Sequence, residues 1–531
     1  MSKTRVLISD PMSSQAVDVF EKRGIDVVQT GKMTEEELLD MIPSFHGLAI
    51  RSSTNVTEKV LHAATQLKVV GRAGIGVDNI SVSACTAKGV VVMNTPMGNA
   101  ITTAEHTLAI IFSLARHIPQ ANQTTHAGAW AKSKYMGVEL TGKILGIIGS
   151  GNIGSIVAQK AIGFGLKVQA YDPYLTEERA NVLGIKKVEL EELLITSDVI
   201  SLHVPKTVET ENIINASAIN KMKKGAMLIN CARGGLVDER ALHVALTSGH
   251  LRGAALDVYL EEPAKKNSLF GLENVICTPH LGASTTEAQE KVAVQIAEQI
   301  SDYLLDGSIK NGLNAPNLSA EEVRQLRPYF QLANYLGLFA GQLSHTAIQG
   351  ITVTFSGDAA KLNVEPLTTQ VVQSVLAPHF NDINVVNARK VAFDRGIHVT
   401  EAKEDLEDVY HNRVTISIMA GDKTRSVCGT LIQNRPRLIE IKGIKLESEF
   451  GEHMLYITNQ DEPGVIGAIG RFAADKNINI ANMHLGRRES RGDAISLLEI
   501  DAPVRSIDLD GLRGIKSISD VQYLNFNSLI L

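Results

Sequence analysis

From Arg5 to about Thr95, short apolar runs alternate with amphipathic stretches. Arg5–Ser9, Leu48–Ile50, Lys68–Val70 and Val90–Met93 read as buried strands, and 34–42 and 57–64 between them read as helices. Continuous apolar runs with helices between them predict a parallel sheet covered on both faces. A longer helix is predicted over 102–116, with Thr102 or Thr103 at its start and Glu105 three residues after Thr102, a capping-box spacing. A second strand–helix series begins at Lys143, with strands at Ile144–Ile148, Lys167–Tyr171, Val199–Leu202, Ala226–Asn230, Gly253–Leu256 and Val275–Cys277. Another long helix is predicted over 285–305. The pattern predicts an α/β fold of two doubly wound, Rossmann-like domains. One is inserted in the other, and the two long helices carry the chain across.

The stretch 306–317, rich in Gly, Asn and Pro, reads as a linker. A mixed α+β segment with weak patterning follows. From His453 to Leu531 the order is strand, helix, strand, strand, helix, strand, that of a ferredoxin-like module. The chain has 531 residues, enough for three or four domains, and a formal net charge of −6, so no basic field favours nucleic acid. The four cysteines, Cys85, Cys231, Cys277 and Cys428, lie far apart with no CxxC spacing. That predicts a reducing compartment, the cytoplasm, with neither a disulfide framework nor a metal site. No leader pattern and no apolar run long enough for a membrane span are read.

Candidate chemistry begins at Gly149-Ser150-Gly151-Asn152-Ile153-Gly154, a GxGxxG between an apolar strand and a helix. Gly149 suits a tight turn, Gly151 a close approach to a pyrophosphate, and Gly154 helix–strand packing. Asp172, 18 residues after Gly154 at the end of the next strand, suits the ribose hydroxyls and repels a 2′-phosphate, which favours NAD over NADP. Three further residues stand at strand ends or in Gly-rich turns: Arg233, Glu262 and His280. An Arg fork matches a carboxylate. A histidine held by a carboxylate can take the proton of a secondary alcohol during hydride transfer. Each also has a plain structural reading as a cap, a solvated acid or a turn histidine, and spacing alone does not bring them together.

Gly149–Gly154, Asn230–Asp238, Gly253–Pro263 and Pro279–Ser284 resemble the signatures of the D-isomer-specific 2-hydroxyacid dehydrogenase family, and the resemblance covers about Arg5 to Pro316. It implies Arg233, Glu262 and His280 as catalytic residues. It also implies Cys231, Ala232, Asp257 and Gly282 near the cofactor, with Asp257 on the nicotinamide carboxamide. The segments 51–54 and 71–79 resemble the substrate loops of the branch that oxidises 3-phosphoglycerate in serine synthesis. By that resemblance backbone N–H groups near Gly74 and Ile75 hold the carboxylate, Arg51 the phosphate with Arg72 beside it, and Lys132 and Lys134 add charge near Trp130. The whole chain resembles the long form of that branch. That assigns 1–99 with 284–316 to substrate binding, 100–283 to NAD binding, 317–450 to an intervening domain and 451–531 to an ACT domain. Asp461, Gly464 and Asn479 then match positions that hold L-serine as effector across a subunit interface, in a homodimer or homotetramer. Other readings are a dehydrogenase of 2-hydroxyglutarate or hydroxypyruvate, and an NADH-sensing corepressor.

Overall fold

A computed structural model describes residues 3–405 and 409–526; the ends of the expected first and last domains, 1–2 and 527–531, lie outside the described residues. Four sheets follow one another along the chain. The first has five parallel strands in the order Asp26–Gln29, Arg5–Ile8, Gly47–Ile50, Val69–Arg72, Val91–Met93. Its two faces are filled by separate apolar clusters, one of them closed by Ile296 and Ile300 of the helix Thr286–Asp306.

The second sheet has seven parallel strands in the order Val275–Cys277, Gly253–Leu256, Met227–Asn230, Val199–Leu202, Ile144–Ile148, Lys167–Tyr171, Lys186–Lys187. This is the Rossmann order, with its switch point where Ile144–Ile148 meets Val199–Leu202. Its inner strands are buried on both sides, so their sequences are continuous apolar runs. The helix Ala100–Ala115 packs into one face through Ala104, Leu108 and Ile111. The expected fold class, two doubly wound α/β bodies threaded by two long helices, is the observed one.

The third sheet runs His398–Glu404, Ile348–Gly357, Asn412–Ala420, Lys423–Ile432, Arg435–Ile441, Ile444–Ser448; its first pair is parallel and the rest antiparallel. Helices Ala320–Gln342 and Glu365–Leu376 cover it. The fourth is antiparallel, in the order Ile480–Arg487, Asp493–Ile500, His453–Gln460, Ile518–Asn525. That is the ferredoxin-like arrangement. Helices Val465–Asp475 and Asp510–Arg513 cover one face. Its other face shares the third body's core, with Tyr456 edge-on to Phe339 at 5.9 Å.

Two sequence expectations are corrected, and two strands not read from the sequence are added. The crossing helix starts at Ala100 with Asn99 as an N-cap that makes no side-chain bond. Thr102 is therefore inside the helix, and Glu105 pairs with Lys160 instead of closing a capping box. The stretch 306–317 is not a free linker. Asn314 accepts from the Val92 N–H and donates to the Val90 carbonyl, and the chain bridges at Met93–Gly312 and Ile309–Leu318. Finally, Asp26–Gln29 and Lys186–Lys187 are edge strands with little apolar signal.

Candidate active site

The strand Ile144–Ile148 ends in Gly149 at φ +93°, where an added Cβ would lie 2.6 Å from the His203 carbonyl. A Cβ on Gly154 would lie 2.0 Å from the Gly149 oxygen, so only glycine lets the helix Asn152–Gly163 sit this close to its strand. Gly151 differs: nothing lies within 4 Å of its Cβ position. The loop is sealed against the protein on two sides and open on the third, at the positive end of a helix of 12 residues. That shape fits a dinucleotide pyrophosphate. Asn152 is exposed at this helix start, whereas the Ile153 side chain packs into the core and leaves its amide at the terminus. Asp172 reaches the loop from the next strand and accepts from Ser150 N (2.8 Å) and Oγ (2.9 Å).

The turn after Met227–Asn230 is shaped by Asn230, which accepts from Ala232 N (3.0 Å) and donates to the Arg233 carbonyl (2.9 Å). Cys231 is buried beside Thr107, and burial pushes its thiol up to about 12, so it is inert packing here. Arg233 leaves this turn for the first body. Its Nε donates to Asp78 at 3.1 Å, and its Nη2 would lie 1.8 Å from a Cβ on Gly76. Arg233 therefore lies on the 74–78 loop, where Gly74 is at φ +154° and the Ile75 carbonyl accepts from Asn94 at 2.6 Å. Arg72 stands behind this loop, largely buried with its Nε unpartnered. Burial, reinforced by the charge of Arg233, lowers it to about 10, while Asp78 acts in the opposite sense. Arg51 completes the group: its backbone N–H donates to Asp10 (2.5 Å), and its guanidinium to the Pro11 carbonyl (3.2 Å). Three guanidiniums thus share two acids, Asp10 and Asp78, which leaves a cationic surplus suited to an anion.

His280 Nδ1 and Glu262 Oε2 are 2.6 Å apart, and the other Glu262 oxygen accepts from Tyr259 N at 3.0 Å. Burial would raise Glu262, but the bonds from His280 and Tyr259 outweigh it and hold the carboxyl below its ordinary range. Glu262 is thus an acceptor, Nδ1 carries the proton, and Nε2 is left as a base on a half-exposed ring.

Asp257 ties down the turn that follows the next strand. Its carboxylate is fully buried: Oδ1 takes Thr278 Oγ1 (2.6 Å) and Leu281 N (2.7 Å), and Oδ2 takes Gly282 N (2.8 Å). It binds the turn bearing His280, and Oδ2 takes the Gly282 N–H as its one donor. Gly282 is closely packed there, its Cβ position 3.3 Å from Asp257 and from Thr103. The sequence reading missed Asp10, Asp78, Thr278 and His106. Asp78 was within reach, inside the 71–79 segment.

The remaining candidates lie elsewhere. Lys134 is paired with Glu273 at 3.0 Å, and Trp130 is exposed. In the fourth body Asp461 accepts from Arg487 (2.8 Å) and Arg491 N (3.2 Å), so its carboxylate already has a cation. Asn479 donates to Asp501 (2.6 Å), and Gly464, at φ +97°, opens the helix Val465–Asp475 with free space before it.

A Rossmann-ordered sheet with this glycine loop, and a histidine–carboxylate pair on its strand-end turns, define a dinucleotide-dependent dehydrogenase. Residues 108–282 match the D-isomer specific 2-hydroxyacid dehydrogenase, NAD binding domain, and 325–442 match the D-3-phosphoglycerate dehydrogenase intervening domain. D-3-phosphoglycerate dehydrogenase of Bacillus subtilis is 41% identical over 98% of this chain and 99% of its own, and that of Methanocaldococcus jannaschii 40% over the same shares. Among solved structures, D-lactate dehydrogenase of Escherichia coli superposes with a TM-score of 0.53 and 27% identity, over 58% of this chain and 99% of its own. The chain belongs to the D-isomer specific 2-hydroxyacid dehydrogenase family, among its D-3-phosphoglycerate dehydrogenases. Its cofactor is NAD. No helix among the described residues is long and apolar enough to cross a membrane.

Proposed function

We propose that this chain oxidises 3-phospho-D-glycerate at C2 to 3-phosphohydroxypyruvate, the entry step to serine. The observation that carries the substrate is the surplus of cations at Arg51, Arg72 and Arg233 around the 74–78 loop. A substrate bearing both a carboxylate and a phosphate matches that surplus, and a neutral-tailed hydroxy acid leaves it uncompensated. Arg233 and the amides of Gly74 and Ile75 orient the carboxylate; Arg51 faces the phosphate, and Arg72 adds its charge from behind the loop. His280 Nε2 takes the C2 hydroxyl proton, and Glu262 stabilises the imidazolium that forms. NAD+, when bound, supplies the hydride acceptor; Gly149, Gly151, Asn152, Ile153, Gly154 and Asp172 would hold its phosphates and ribose, with Cys231 and Ala232 lining the far end.

The two catalytic bodies are assigned as 1–99 with 284–316, and 100–283; the intervening and ACT regions as 317–450 and 451–531. L-serine is assigned as effector at Asp461, Gly464 and Asn479, in a homodimer or homotetramer of the cytoplasm. In that site the ammonium would share Asp461 with Arg487. The test is NADH formation from NAD+ and 3-phosphoglycerate with a hydrazine trap, with and without millimolar L-serine. Serine-suppressed turnover supports both assignments. Turnover that ignores serine removes the effector, and turnover of 2-hydroxyglutarate alone removes the substrate.

A further inference from the structure

The turn that carries His280 is held in a costly conformation. His280 itself is at φ +57°, a left-handed backbone that costs a side-chain-bearing residue on the order of 1 kcal/mol and persists only where its surroundings enforce it. Enforcement comes from Asp257. Its carbonyl accepts from His280 N at 2.9 Å, and its carboxylate gathers Thr278, Leu281 and Gly282 on either side of the histidine. A buried carboxylate with these donors is itself held by one more group, His106, whose Nε2 lies 3.3 Å from Asp257 Oδ1 and 3.4 Å from Thr278 Oγ1.

His106 belongs to the helix Ala100–Ala115, one of the two that carry the chain between the catalytic bodies. One polar face of this helix meets the turns after three strands, Met227–Asn230, Gly253–Leu256 and Val275–Cys277. Thr107 touches Cys231, His106 touches Asp257, Thr103 lies 3.3 Å from the Cβ position of Gly282, and Thr102 reaches Thr285 at 3.5 Å.

We infer that His106 is a positioning residue for the reaction: through Asp257 it fixes the 278–282 turn, and with it the direction of the His280 ring. The inference rests on the reading of His280 as the base. With Asp257 ionised and accepting, the His106 Nε2–H must donate, and it completes the set. The contact reaches the turn from the crossing helix. Losing it loosens the turn and misaims the base, which lowers turnover and leaves ground-state binding in place.

The test compares the full-length wild type with His106→Phe, which keeps the bulk of the ring without a donor, and His106→Gln, which keeps a donor. Thr278→Val, which removes the second side-chain donor to Asp257, is the independent variant should His106→Phe not fold. We expect His106→Phe to lower kcat at least 10-fold, with KM for NAD+ and substrate within 3-fold and the acid limb of the kcat–pH profile displaced. His106→Gln should recover most of kcat, and Thr278→Val should shift the same limb. Wild-type kcat and pH profile in His106→Phe and Thr278→Val would overturn the inference, as would equal losses in the Gln and Phe variants. The assay uses whichever D-2-hydroxy acid the wild type oxidises, so failure on 3-phosphoglycerate would refute the substrate and still decide the role of His106.

Discussion

Adding one methyl group at Gly154 should separate the packing of the cofactor loop from its chemistry. The Cβ of Gly154→Ala would sit 2.0 Å from the Gly149 oxygen and 3.1 Å from its carbonyl carbon, both backbone atoms. Ordinary contact needs ~3.5 Å, so a gap of more than ~1 Å must open. The loop cannot recede, because Gly149 is itself against the His203 carbonyl, with 2.6 Å to its Cβ position. The helix Asn152–Gly163 must therefore lift off the sheet. Overpacking of this kind costs ~1–3 kcal/mol. The melting transition of the cofactor body should fall by about 3–10 °C. Displacing the helix start by ~1 Å should also weaken NADH binding by roughly 10- to 100-fold. Two neighbours serve as controls. Gly151→Ala meets no protein atom within 4 Å, so it should keep its melting temperature while its methyl obstructs the pyrophosphate and raises the NADH dissociation constant. Gly163→Ala, also unobstructed and at the end of the same helix, should bind normally and gain up to ~1 kcal/mol. Differential scanning fluorimetry and an NADH fluorescence titration read both quantities. Wild-type stability and affinity in Gly154→Ala would refute the reasoning, because the clash would then have been absorbed without moving the helix.

Other outcomes follow from the same geometry. His280→Asn should lower kcat by about 10²- to 10⁴-fold and Glu262→Gln by less, with little change in NAD+ affinity, as measured by steady-state turnover. Arg233→Lys loses the planar fork that lies on Gly76, and kcat/KM for 3-phosphoglycerate should fall roughly 10- to 100-fold with NADH binding intact. Burial lowers His203 from 6.5 to about 4 in the folded chain. The unfolded chain then takes up the extra proton first, so this contribution to stability is full above pH 6.5 and lost as pH falls toward 4, by up to about 3 kcal/mol. Urea midpoints at pH 7 and pH 5 should show a smaller acid loss in His203→Gln, and equal losses would remove His203 as the cause. Asp461→Asn breaks the pair with Arg487 and should raise the serine concentration needed for half-inhibition about 10-fold or more, read in the turnover assay.

How much of this was legible in the sequence depended on where the partners of each residue lie. The glycine loop could be read in full because its constraints are local: Gly149 and Gly154 clash with atoms a few residues away or on the adjacent strand. The inner strands Ile144–Ile148 and Val199–Leu202 were readable because burial on both faces demands an uninterrupted apolar run. The edge strand Asp26–Gln29 needs no such run and left no signal. The site itself was only half legible. Residue types suited to the chemistry were visible, but Arg233 meets Asp78 across 155 residues, and His106 meets the His280 turn only because a crossing helix lies over three strand ends.

The error over 306–317 has a different origin. Composition reports how readily a segment forms turns, and Gly, Asn and Pro do form turns there. It does not report what their side chains do. The Asn314 amide carries an acceptor and donors in the same arrangement as a peptide group, and it pairs with the free edge of Val91–Met93 at the Val92 N–H and the Val90 carbonyl. A strand edge left with unpaired backbone groups must be satisfied or covered. A short polar side chain in a turn does this with little added chain entropy, so the residues that mark a loop by composition are the ones that fasten it to the sheet. The same holds for Asn230, whose side chain closes the turn that aims Arg233. In this fold an asparagine in a turn and another at a strand end carry part of the hydrogen bonding that holds the chain around the site.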